Sequence, residues 1–143
     1  MDLDLAKHEA GHAVIAYSVG VEVFRVELSH NGGGCTYYDS PSTMLNKGRG
    51  PTFTAIAYGK IAAAGKAAAP GTAFSASDND GFDKAFWLLD LSDVSFDVFR
   101  DASYVMASEL INKHADKVER VAVALIERGY LSADEFLELM RDD

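Results

Sequence analysis

The spacing of apolar residues changes along the chain, and each change predicts a boundary. Asp4 to Val19 reads as a helix that Asp2 or Asp4 can cap and that Gly20 can end as a left-handed residue. From Val21 to Leu28 the spacing becomes alternation. Phe24, Val26 and Leu28 share one side and Arg25 and Glu27 the other, which predicts a strand with one buried face. His30-Asn31-Gly32-Gly33-Gly34 is a turn, and Cys35 to Tyr38 a second strand. Asp39 to Gly50 has little apolar pattern and reads as a loop. Pro51 then opens a helix to about Ala68, with Phe53, Ile56, Ala57, Ile61 and Ala64 at helical spacing. Pro70-Gly71 ends it, and a polar connector runs from Thr72 to Asn79. The remainder is helical, broken near Ser92, Ala115 and Gly129. Ser132 and Glu135 form a capping box there, with Leu131 and Phe136 as its hydrophobic staple.

Length and composition narrow what this pattern can build. With 143 residues and no internal repeat or linker, residues 1–143 are expected to form a single domain. A net charge of -9 without any Lys/Arg cluster argues against nucleic acid as a partner. It discourages self-association without forbidding a homo-oligomer. The single cysteine, Cys35, fits a reducing compartment. The acidic start Met1-Asp2-Leu3-Asp4 is unlike a signal peptide, and no apolar run is long enough for a membrane span. A cytoplasmic location is the expectation.

Chemistry concentrates in His8-Glu9-Ala10-Gly11-His12. Residues four apart on a helix share a face, so both imidazoles can reach one ion. Glu9 projects beside them, placed to take a proton from water at the ion's exchangeable position. Gly11 costs helix stability, about 1 kcal/mol relative to alanine, which suggests close approach by a neighbouring backbone or substrate. A catalytic zinc needs a third protein ligand. His30 lies in a glycine-rich turn and His114 near a helix end, and both read better as surface residues. Asp78-Asn79-Asp80 stands where a loop enters a helix, and its carboxylates alone read as caps.

His8-Glu9-Ala10-Gly11-His12-Ala13-Val14 resembles the zinc-binding helix of the FtsH family of ATP-dependent metalloproteases. Val23 to Leu28 with Gly33-Gly34-Cys35-Thr36-Tyr37 is similar to that family's strand and glycine-tyrosine segment. Gly65-Lys66-Ala67-Ala68 is similar to its Gly-Arg-Ala-Ala-Glu stretch. Ser75-Ala76-Ser77-Asp78-Asn79-Asp80 is similar to the segment bearing its third zinc ligand, and Lys117 to Met140 to its C-terminal helix pair. The resemblance implies His8 and His12 as zinc ligands and Glu9 as general base. It implies Asp80 as third ligand, because Asp80 follows Asn79, with Asp78 in reserve. Ala69 stands where the family has glutamate and Ser75 where it has glycine. No Gly-x-x-x-x-Gly-Lys-[Ser/Thr] sequence occurs.

The expectation is an α+β, mostly helical, zincin-like metallopeptidase domain with a short N-terminal β-sheet and a C-terminal helical bundle. Its activity would be zinc-dependent endopeptidase cleavage of unfolded or short peptides, with an unfoldase in trans as a further partner. Val21 to Leu28 is expected to offer a partly open edge for an extended substrate. Asp39 to Gly50 would flank the cleft. The rival reading is a metal-binding but inactive interaction domain, and a hydrolase for non-peptide amides is a third.

Overall fold

A helix with apolar residues on every side has to be covered on every side, and the first helix meets that demand. The computed structural model describes residues 2–29, 33–89 and 94–141. Helix α1 (Leu3–Ser18) starts at Asp2, whose carboxylate accepts from the Leu5 amide at 3.2 Å. Every residue from His8 to Ala16 is buried. Helices α3 (Pro51–Ala68) and α6 (Ala115–Arg128) cover it, together with a small sheet. The α1–α3 crossing is close because its residues are small. A Cβ on Gly11 would lie 2.6 Å from the Ala64 carbonyl oxygen and 2.7 Å from Ala68 Cβ. The glycine therefore serves backbone approach, one of the two roles its position suggested.

The sheet is antiparallel, in the order β2–β1–β3, from β1 (Val23–Leu28), β2 (Gly34–Tyr38) and β3 (Tyr130–Ser132). The outer sides of β2 and β3 are the edges of the sheet among the described residues. On β1, β3 pairs only with Arg25 to Glu27, in the register Val26↔Leu131, so the expected partly open edge shrinks to the Val23 and Phe24 end, and β2 offers the longer edge beside Glu9. In addition, the pairing passes from Val23↔Tyr38 to Arg25↔Tyr37, a bulge that inserts Phe24 as an extra residue. The insertion shifts the alternation, so Val23 and Val26 face the core while Phe24 is 45% exposed.

The expected loop at Asp39–Gly50 contains a short helix, α2 (Pro41–Asn46), with Ser40 at its N-cap and Pro41 in the first turn. Helix α4 (Ala76–Trp87) begins earlier than the polar connector suggested, because Ser75 and Asp78 close a capping box. Helix α5 (Phe96–Lys113) packs on α3. The second capping box, Ser132 with Glu135, opens α7 (Ala133–Met140), and Leu131 and Phe136 are fully buried. The break near Ser92 and the turn at residues 30–32 lie outside the described residues. The fold is α+β and mostly helical. Its sheet joins the N-terminal hairpin to a strand from the C-terminal part. No helix among the described residues is long and apolar enough to cross a membrane.

Candidate metal centre

His8 and His12 leave α1 one turn apart and face the first turn of α4. Their rings meet edge to face with centroids 4.8 Å apart. His8 Nε2 lies 3.2 Å from Asp78 Oδ2, and His12 Nε2 lies 3.0 Å from Asp78 Oδ1. All three residues are buried. One ligand atom from each can be chosen so that all lie within 4.8 Å of one another, a group that could hold a metal ion.

Asp80, expected as the third ligand, is not in this group. The reason is helical geometry. Once α4 starts at Ala76, each residue turns about 100°, so Asp80 sits about 200° around the helix from Asp78. Its side chain is 62% exposed and pairs with Lys84 at 2.9 Å. Asp78 instead occupies the third position of the helix and points back. Its Oδ2 also accepts from the Ser75 amide at 2.9 Å, while its own amide donates to Ser75 Oγ at 3.0 Å. The Ser-x-x-Asp capping pattern at 75–78 was the sequence signal that could have identified it. His114 lies at the α5–α6 junction, away from the group. His30 lies outside the described residues.

The outer partners decide which nitrogens are available. His12 Nδ1 is 2.6 Å from the Ile61 carbonyl, which can only accept, so Nδ1 carries the hydrogen. His8 Nδ1 is 2.8 Å from Thr72 Oγ1. The Thr72 hydroxyl gives its own hydrogen to the Ala69 carbonyl at 2.6 Å, so here too Nδ1 is the donor. Both Nε2 atoms therefore aim lone pairs at a carboxylate. Acceptors facing one another at 3.0–3.2 Å need a cation between them, either added protons or a metal ion. Gly65 keeps the centre open. A Cβ there would lie 2.5 Å from His12 Nε2 and would also overlap His8 Nε2.

Without a metal the electrostatics follow from the same contacts. Burial works against ionisation of Asp78, but hydrogen bonds from His12 and His8 outweigh it and hold the carboxyl far below the usual range. Burial likewise opposes a charge on His12, yet its bond to Asp78 and the charges of Asp78 and Glu9 raise its pKa above 6.5. Sequence reasoning missed the supporting residues Ile61 and Thr72. Lys66, in the last turn of α3, supports them in turn. Its Nζ donates to the Thr72 carbonyl at 3.0 Å and the Pro70 carbonyl at 3.3 Å, holding the turn that carries Thr72.

Glu9 is buried beside the group. The Thr36 hydroxyl on β2 lies 2.9 Å from Glu9 Oε1 and 3.0 Å from the Glu9 carbonyl. Glu9, His12 and Asp78 share a cleft of about 40 Å³ with Cys35, Thr36, Tyr38 and Ser77. That volume holds a water molecule. Burial of Tyr38 pushes its phenol up to about 12, so it stands over this cleft as a neutral hydroxyl.

Two imidazoles one turn apart and a carboxylate from another helix, with a buried glutamate beside them, match the residue types of a metallopeptidase site. The family comparison agrees. The chain belongs to the Peptidase M50B-like family, whose model matches residues 2–75, slightly more than half of its length. The matched stretch contains His8, Glu9, His12 and Thr72 and ends at the N-cap of α4. It supports a metallopeptidase family without singling out the FtsH type. No curated protein matches the chain.

Proposed function

We propose that residues 1–143 form a single zinc-dependent endopeptidase domain in which His8, His12 and Asp78 hold the metal and Glu9 is the general base. The observation that carries this reading is the convergence of two Nε2 lone pairs and one carboxylate beside a buried glutamate. When bound, zinc would supply Lewis acidity to the scissile carbonyl and to water. Glu9 takes a proton from the attacking water and returns it to the leaving amine. Thr36 orients the Glu9 carboxylate, and Tyr38 offers a neutral donor at the same cleft. The open edge of β2 runs past both, so an extended peptide can add to it as a strand. A binding mode of that kind suits unfolded or short peptides and makes an unfoldase a natural partner.

Within the metallopeptidases, the segments around His8, Gly65 and Asp78 support a relationship to the FtsH type. The acidic charge and the single cysteine support a cytoplasmic location. The test is metal content combined with activity. Protein purified without a histidine tag should carry about one zinc per chain. Glu9→Gln should keep the metal and lose cleavage of an unfolded test protein. Metal-free native protein would overturn the reading. Metal with no cleavage over a wide pH range would favour the inactive interaction domain.

A further inference from the structure

Beside the metal cleft lies a larger one of about 370 Å³, within the size range of ligand pockets. The two adjoin, because Cys35, Thr36, Tyr38 and Ser77 line both. Phe24, Tyr38, Pro41 and Tyr58 form walls of the larger cleft. Tyr38 and Tyr58 lie with ring centroids 6.1 Å apart. Several polar groups around them are already engaged. Tyr58 Oη donates to the Asp39 carbonyl at 2.6 Å, and Asp39 Oδ1 accepts from the Ser40 amide and the Thr43 hydroxyl. Lys84 and Asp80 at the rim neutralise each other. What remains to offer a ligand is mainly aromatic surface, with the Tyr38 hydroxyl on the side of the metal cleft.

The β1 bulge explains how the last wall is made. In regular alternation Phe24 would share the core face with Val26. As the extra residue of the bulge it lines this cleft instead. Bulges beside active sites commonly re-aim a side chain in this way.

We infer that this cleft is the side-chain pocket of the peptide substrate and selects a large apolar residue, aromatic or long aliphatic, next to the scissile bond. The inference rests on the peptidase reading for the identity of the ligand. The occupant is a peptide because the pocket continues directly into the metal cleft, along the open edge of β2. It is apolar because Phe24, Tyr38, Pro41 and Tyr58 form the walls, while the Asp39 carboxylate is held by the Ser40 amide and the Thr43 hydroxyl, and Lys84 and Asp80 pair with each other.

The experiment uses zinc-loaded chain and quenched-fluorescent peptides that differ only in the residue on either side of the scissile bond. At one of these positions, kcat/KM for Phe or Leu should exceed that for Ala by at least about 10-fold. Phe24→Asp should reduce this ratio at least about fivefold and raise cleavage of the Lys peptide relative to the parent. Phe24→Ala, which removes a half-exposed ring and adds no charge, should reduce the ratio in the same direction. Equal kcat/KM for Phe, Leu, Ala and Lys at every position would overturn the inference. So would a preference unchanged by both substitutions. Peptide Kd on zinc-loaded Glu9→Gln separates the two readings. A Phe-over-Ala binding preference without cleavage by the parent keeps the pocket and removes the peptidase activity. Cleavage without any preference does the reverse.

Discussion

Replacing Asp78 or Asp80 by asparagine separates the ligand chosen by geometry from the one suggested by sequence order. Asp78→Asn keeps the size of the side chain and an oxygen for the Ser75 amide, and its amide can donate to one imidazole. The fold should therefore survive while the anionic donor is lost. Removing an outer partner of a metal site typically costs about 10–100-fold in affinity. Losing a ligand should cost at least the upper end of that range. At free zinc equal to 100 times the parent Kd, binding stabilises the parent by about 2.7 kcal/mol. For a chain of this length that raises Tm by about 5–11 °C. With affinity down 100-fold, the same zinc is worth only about 0.4 kcal/mol, a shift of under about 2 °C. Asp80→Asn removes an exposed ion pair with Lys84 worth about 0.3–0.5 kcal/mol, and the zinc shift should remain complete. Thermal denaturation with and without zinc, alongside chelator competition, measures both variants. A full zinc shift in Asp78→Asn, or its loss in Asp80→Asn, would refute the geometric argument.

Further outcomes follow from the groups around the centre. Thr72→Val and Lys66→Ala should each weaken zinc binding about 10–100-fold, with Lys66→Arg restoring most of it. Parent-like affinity in Thr72→Val would contradict its role in orienting His8. Gly65→Ala gains about 1 kcal/mol of helix propensity, yet its methyl would overlap both Nε2 atoms, so zinc binding should be lost in a chain that still folds. The metal-free protein should respond to pH in two directions. His12 holds its proton more tightly when folded, so its contribution is complete below 6.5 and is lost as pH rises through the higher folded value. Asp78 is depressed when folded, so its contribution is present above 3.8 and is lost as pH falls toward the folded value. Melting temperatures across pH with chelator should therefore decline on both sides of that interval. Added zinc should remove the alkaline decline, because the imidazole lone pairs are then engaged.

The metal helix was fully legible in the sequence because a turn of helix is a local object. Four residues bring His8 and His12 to one face whatever surrounds them, and Gly11 announces the tight crossing with α3. The caps of α1 and α7 and the start of α3 at Pro51 are local in the same sense, as each depends on side chains bonding to backbone a few residues away. The carboxylate that joins the two histidines is harder to read from the sequence. Its position depended on where α4 begins, and reading the connector to Asn79 instead of ending it at Ser75 exchanged the buried carboxylate for the exposed one. The strand phase failed for a different reason: a bulge is decided by pairing between two strands, and alternation within one of them cannot reveal it.

The sequence by itself determined the donor types, the pair of imidazoles one turn apart with their neighbouring glutamate, and a mostly helical α+β chain. Only the tertiary structure decided how these were completed. It brought Asp78 across 70 residues to the histidine pair, set Ile61 and Thr72 behind the rings to direct Nε2 inward, and paired β1 with β3 as well as β2, leaving β2 an edge strand beside Glu9. The physical distinction is one of range. Helical turns and caps are settled by bonds between near neighbours, whereas a buried cluster of two histidines and a carboxylate, and the edge of a sheet, arise from contacts between segments that only the packed core brings together.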